Sequence, residues 1–227
     1  MQIGILQTGH AAPAMRAAVG DYSDYFALFL AGQGLSFATF NVIDCIFPAS
    51  VHDCDGWLIT GSRHGAYADL PWIAKLEVFL RDAYAARVPI VGICFGHQIL
   101  AQALGGKVEK FSQGWSVGPT DYDWGGETVR LNAWHQDQVT DLPEDAEVLA
   151  GNAFCQYAAL AYGDRALTVQ AHPEYDDDAS RVRIEARGPT MGIDDQLKSA
   201  TDAMGQPDGR ARMAQEIGDF FRRARDG

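Results

Sequence analysis

The segment Gly92-Ile93-Cys94-Phe95-Gly96-His97-Gln98 sets a thiol between two glycines, after an apolar run and before a helical stretch. A sharp strand-to-helix turn of this form strains its central residue and needs small neighbours to relieve crowding. The thiol would then stand at the carboxyl edge of a sheet. The adjoining helix N-terminus carries partial positive charge, which favours thiolate. The ordinary alternative is a small core residue, because free cysteines are commonly buried. A second segment, Gln170-Ala171-His172-Pro173-Glu174, closes another apolar run. An imidazole there can take the proton of a thiol, and a carboxylate two residues on can hold the ring. Alone, His-Pro-Glu reads as a surface turn. After a cysteine elbow, in the order Cys, His, Glu, it reads as a nucleophilic triad. A third segment, Thr60-Gly61-Ser62-Arg63-His64-Gly65, also leaves an apolar run. It either ends a strand or aims a backbone N–H at a developing oxyanion, with the N–H of Phe95 as the second donor.

The other reactive side chains form no comparable set. His10, His52, His64, His97 and His135 lack ligand spacing, so no metal is expected. Asp176-Asp177-Asp178 suits the first turn of a helix. Gly4, Gly9 and Gly20 do not spell Gly-x-Gly-x-x-Gly, so no dinucleotide cofactor is expected. Cys45, Cys54, Cys94 and Cys155 lie in unlike contexts without a Cys-x-x-Cys pair, which argues against disulfides.

The elements that would position these groups follow from hydrophobic periodicity. Residues 2–7 read as a strand, broken over 9–13. Tyr22, Tyr25, Phe26, Phe29 and Leu30 recur at helical spacing after Asp21, a suitable N-cap. Residues 37–43 and 56–60 read as strands, and Pro71 opens a helix whose apolar face includes Ile73, Leu76 and Leu80. Residues 88–94 are apolar throughout, as a central parallel strand should be, and a helix over about 97–104 follows. This β-α-β-α order predicts a doubly wound parallel sheet with right-handed crossovers. Short β-like runs at 107–111, 127–131, 146–150, 158–162 and 166–171 predict an antiparallel elaboration and then a return to the main sheet. The tail beyond Pro173 is helical, with Met213, Ile217, Phe220 and Phe221 on one face.

Composition bounds the function. The chain has 227 residues, 47% of them hydrophobic, which suffices for a substantial core in one compact domain. A net charge of −12 argues against nucleic acid and anionic membranes as partners. The apolar runs are too short to span a bilayer, and no basic leader opens the chain, so a cytoplasmic location is expected.

On its Gly92–Gln98, His172-Pro173-Glu174 and Ile59–Ser62 segments, the chain resembles the class I glutamine amidotransferases, the Cys-His-Glu glutaminases of which the GMP synthase glutaminase is one. Phe95 stands where Leu is usual in the nucleophile motif. The resemblance implies an α/β fold: a flavodoxin-like, doubly wound, mostly parallel sheet flanked by helices, with a small antiparallel β elaboration. It implies one domain over 1–227 with a helical tail from about 176. It further implies that Cys94 forms a γ-glutamyl thioester, His172 transfers protons, and Glu174 orients His172. The oxyanion hole would come from the amides of Ser62 and Phe95, with Gly61 shaping the loop. Gln98 and the Trp134-His135-Gln136-Asp137 segment would line the substrate pocket. There Trp134 replaces a small Ser and Gln136 replaces a Gly. Three readings follow. A glutaminase would act on glutamine and supply ammonia to a separate synthetase partner. A free-standing γ-glutamyl peptidase, motivated by the altered Trp134 and Gln136, would act on other γ-glutamyl compounds. A regulatory or binding module would leave the triad idle. No second, ammonia-consuming unit is recognisable in the sequence, since neither a pyrophosphatase loop nor a phosphate loop occurs.

Overall fold

Strands covered on both faces need apolar residues at every position, not at alternate ones. The computed structural model describes residues 1–11, 16 and 20–226. In it such strands lie side by side at the centre of one nine-stranded sheet. The strands are β1 (Gln2–Leu6), β2 (Ser36–Phe40), β3 (Gly56–Ile59), β4 (Ile90–Ile93), β5 (Lys107–Lys110), β6 (Ser116–Trp124), β7 (Glu127–His135), β8 (Asp137–Asp141), β9 (Glu147–Gly151), β10 (Ala159–Tyr162) and β11 (Ala166–Val169). The large sheet has the order β2-β1-β3-β4-β11-β10-β9-β6-β7, while β5 and β8 pair separately. The pairings from β2 through to β11 are parallel, and those beyond it antiparallel. Every residue of β3, β4 and β11 is buried.

The helices are α1 (Tyr22–Phe29), α2 (Pro71–Ala85), α3 (Phe95–Ala103), α4 (Asp177–Arg187), α5 (Asp194–Asp202) and α6 (Arg210–Asp226). Asp21 caps α1 through a capping box with Asp24, and Pro71 occupies the first turn of α2. Alternate residues of β3 and β4 face two cores. Leu58, Val91 and Ile93 pack with α1 and with Met213, Ile217 and Phe221 of α6. Trp57, Ile59 and Ile90 pack with Leu76 and Leu80 of α2 and with Ile99 and Leu100 of α3.

The doubly wound expectation holds, and the antiparallel elaboration is larger than the local pattern indicated. Strands β6 and β8 have no counterpart among the expected runs, because Gly118-Pro119 interrupts one and polar residues dominate the other. Residues 42–44 form a 3-10 turn instead of ending a strand, and α3 begins at Phe95, two residues before the expected start. Of the expected break over 9–13, Ala12 and Pro13 lie outside the described residues. Among the described residues no helix is long and apolar enough to cross a membrane.

Candidate active site

Three neighbouring parallel strands deliver three loops to one edge of the sheet. Register holds Ile59 beside Gly92 and Gly92 beside Thr168, so β3, β4 and β11 end at nearly the same level. The loops that leave them carry Gly61-Ser62, Cys94 and His172. Such carboxyl ends are where open α/β sheets build their sites.

Cys94 is the hinge between β4 and α3, with φ 54° and ψ −102°. A non-glycine residue at positive φ is strained, and here the neighbours make room for it. A Cβ on Gly92 would lie 2.5 Å from the carbonyl oxygen of Gly96, and one on Gly96 would lie 2.5 Å from that of Ile59. Both flanking positions therefore require glycine. The elbow thus seats the sulfur at the N-cap of α3, with Sγ 4.0 Å from the carbonyl oxygen of Trp134.

His172 follows β11, and its backbone is pinned to β7 by an N–H bond of 2.8 Å to the Asn132 carbonyl. Its Nδ1 and Glu174 Oε1 lie 2.6 Å apart, both side chains 2% exposed. Its Nε2 is buried and has no hydrogen-bond partner, and Cys94 lines the same small cavity. Three buried histidines show what this carboxylate does. Burial drives His97 down to about 3 and His135 down to about 4, so both are neutral. Burial opposes charge on His172 as well, yet Glu174 and Cys94 outweigh it and push the imidazole up to about 9. Only His172 of the three holds a proton at neutral pH.

The third loop is stiffened from below. The Thr8 hydroxyl donates to the Gly61 carbonyl at 3.0 Å, and the Ser62 hydroxyl donates to the Thr8 carbonyl at 2.7 Å. A Cβ on Gly61 would sit 2.8 Å from Cε1 of His172 and 3.7 Å from the Cβ of Cys94. Gly61 is thus the point where the three loops touch. Phe95 supplies the first amide of α3, one of the N–H groups that a helix leaves without an internal partner.

A cavity of about 260 Å³ opens over Cys94, and Ser62, Gln98, Trp134, His135 and Gln136 line it. Two of these are committed elsewhere. Gln98 Nε2 donates to the Asp137 carbonyl and to Gln170 Oε1, at 2.9 and 3.1 Å. Gln136 Nε2 donates to the Phe111 carbonyl at 3.3 Å. Sequence reading missed Tyr175, whose ring stacks on His172 with centroids 4.5 Å apart, and Arg183, which lies over the Trp134 ring at 5.0 Å. Tyr175 adjoins the His-Pro-Glu motif and was within reach of inspection; Arg183 carries no local signal. Among the described residues no group of three or more His, Cys, Asp or Glu is placed to hold a metal. Cys155 is buried, and burial pushes its thiol up to about 12, so it is an unreactive core residue.

The arrangement can perform acyl transfer: a thiol on a strained elbow, a protonated imidazole held by a carboxylate, and backbone amides from two loops. Comparisons agree with that chemistry. The family model described as glutamine amidotransferase class-I matches residues 40–188. Gamma-glutamyl peptidase 4 of Arabidopsis thaliana is 34% identical over 176 residues, 70% of this chain and 70% of that protein. A glutamine-hydrolysing GMP synthase subunit from Methanothermobacter thermautotrophicus is 35% identical over 112 residues, 45% of this chain and 55% of that protein. In fold, a glutamine amidotransferase from Thermotoga maritima superposes with a TM-score of 0.76 at 18% identity, covering 99% of each chain.

Proposed function

The chain belongs to the class I glutamine amidotransferase family, an amide-hydrolysing enzyme family, and on that premise we propose that Cys94, His172 and Glu174 cleave a γ-glutamyl amide through a thioester. Cys94 and His172 share one proton, which lies on His172 as the sulfur attacks. The thiolate attacks the γ-carbonyl carbon, and the amides of Ser62 and Phe95 receive the oxyanion. Collapse breaks the C–N bond, the imidazolium gives its proton to the departing amine, and a γ-glutamyl thioester remains on Cys94. Water then passes a proton to the neutral imidazole and attacks the same carbonyl. The C–S bond breaks, releasing glutamate and restoring the thiolate–imidazolium pair.

The observation that carries this reading is the positive-φ elbow at Cys94 beside a histidine that alone among three buried ones is held charged. As to the amine released, the free-standing γ-glutamyl peptidase is the better-supported reading. The relative of that name matches 70% of the chain, whereas the GMP synthase relative matches 45%. Ammonia supply to a separate synthetase is the second reading, and the GMP synthase relatives favour it. Intact-protein mass spectrometry after rapid acid quench tests the shared chemistry. A γ-glutamyl adduct on Cys94 is expected with glutamine or γ-glutamyl dipeptides and absent in Cys94→Ser. Turnover of dipeptides at well below the glutamine rate would favour the ammonia-supplying role.

A further inference from the structure

A second cavity, of about 400 Å³, adjoins the one over Cys94. Gly9, His10, Tyr22 and Ile43 are among its described lining residues. The described residues common to both cavities are Arg63, Arg183 and Arg187. Three arginines thus stand between the two cavities, and Tyr22 lines both the second cavity and the small one at Cys94 and His172.

These arginines differ from most cations of the chain. Elsewhere Arg81 pairs with Glu77, Arg130 with Asp121, Arg165 with Asp145 and Arg212 with Glu216. Among the described residues, Arg63, Arg183 and Arg187 have no carboxylate within ion-pair distance, although the chain carries a net charge of −12. Arg183 and Arg187 stand four residues apart on α4, so the helix sets two like charges on one face at a cost to its own stability. Arg183 is the anchored member. Its guanidinium lies over the rings of Trp134 and Tyr175, its Nη1 donates to the Tyr175 hydroxyl at 2.9 Å, and its buried Nε has no partner. A rigid fork with an unused donor, beside two further guanidiniums, is suited to a carboxylate. Asp137, the one carboxylate among the described residues lining the Cys94 cavity, faces Tyr67 and Gly65, its Oδ2 3.1 Å from where a Cβ on Gly65 would sit, and Lys110 is the cation that acts on it.

Glutamine brings only the α-carboxylate, at the end of the substrate remote from the scissile bond. A γ-glutamyl amino acid brings a second carboxylate, on the departing amine. We propose that Arg183, assisted by Arg63 and Arg187, receives that second carboxylate. The second cavity then holds the remainder of the departing amino acid or peptide. The assignment rests on the γ-glutamyl hydrolase reading above and adds the class of leaving group: an amine bearing a carboxylate.

The test compares kcat/KM of the full chain for γ-glutamylglycine and for γ-glutamylglycinamide, which is isosteric but lacks the carboxylate. Wild type is expected to favour the acid at least tenfold, about the worth of one charge-assisted hydrogen bond. Arg183→Gln is expected to lose most of that ratio, and Arg183→Lys to keep part of it. Because Arg183 packs between two rings, the exposed Arg187→Gln is run beside it and is expected to lower the ratio by a smaller factor. A wild-type ratio near one, or a ratio unchanged in both Gln variants, overturns the assignment. An equal loss on both substrates in Arg183→Gln also overturns it, because the arginine would then hold the α-carboxylate. Absence of any thioester on Cys94 with either substrate would instead overturn the hydrolase reading itself, and the assignment with it.

Discussion

The parallel and antiparallel halves of the one sheet do different things. In the parallel half, β3, β4 and β11 are four residues long and wholly buried, and their ends deliver Gly61-Ser62, Cys94 and His172 to a single point. In the antiparallel half, the nine-residue strands β6 and β7 form a hairpin with exposed positions on β6 and at the start of β7. The inner end of β7 presents Trp134 and His135 to the cavity and Asn132 to the His172 loop. The parallel half holds Cys94 and His172 against glycines at which a Cβ would clash. The antiparallel half shapes what can approach them. A buried, short-strand edge tolerates almost no change, whereas a rim can vary and alter specificity.

The comparison is broken most directly at the nucleophile. Cys94→Ser is expected to lower kcat/KM on the order of 10⁴-fold or more. Its thermal midpoint should stay close to wild type, because Ser fits the same elbow. Unfolding at ordinary temperature would show instead that the thiol is structural.

Next in size is Glu174→Gln, expected to cost roughly 10⁴-fold, as when a triad loses the carboxylate behind its histidine. Its pH profile is the more discriminating readout. In wild type His172 is charged below about 9 and can protonate the departing amine. As pH rises through that value the imidazole becomes neutral and the rate falls. Removing the carboxylate takes away the leading contribution that holds the proton against burial, so the alkaline limb should move to lower pH. A limb that stays in place would assign it to another group.

Gly61→Ala probes the crowding itself. The added methyl would lie 2.8 Å from Cε1 of His172 and must displace the ring. A shift of this kind is expected to cost about 10²-fold in kcat, read with γ-glutamyl p-nitroanilide. The smallest effect is expected in the other half. Trp134→Ser restores the small residue of the family pattern, and should change KM by about tenfold while kcat moves much less, because it alters binding more than transition-state contacts. A fall in kcat as large as that of Gly61→Ala would erase the distinction between the halves.

Legibility followed the same division. The wholly apolar runs at β3 and β4, the run at β11 with Thr168 as its one polar residue, and the glycines around Cys94 could be read because burial on both faces and a strained elbow each demand particular residue types. Strands β6 and β8 could not, because a Gly-Pro step and polar residues hide their pairing, which only a partner strand supplies. Gln98 and the Trp134–Asp137 segment were expected to line the substrate pocket, and Gln98 and Gln136 line the cavity; only the structure gives the bonds that hold them there, from Gln98 Nε2 to the Asp137 carbonyl and Gln170 and from Gln136 Nε2 to the Phe111 carbonyl.

By itself, then, the sequence determined the reaction class: a cysteine elbow followed by His-x-Glu, in an order and setting that little else requires. It also determined the parallel core that would carry them. Tertiary structure decided which histidine is charged, since His97, His135 and His172 differ only in what faces them once buried. It decided as well that Arg63, from the β3 loop, lines the same two cavities as Arg183 and Arg187, from a helix over a hundred residues later. Charge state and convergence depend on distances between segments remote along the chain, and sheet register and helix packing set those distances.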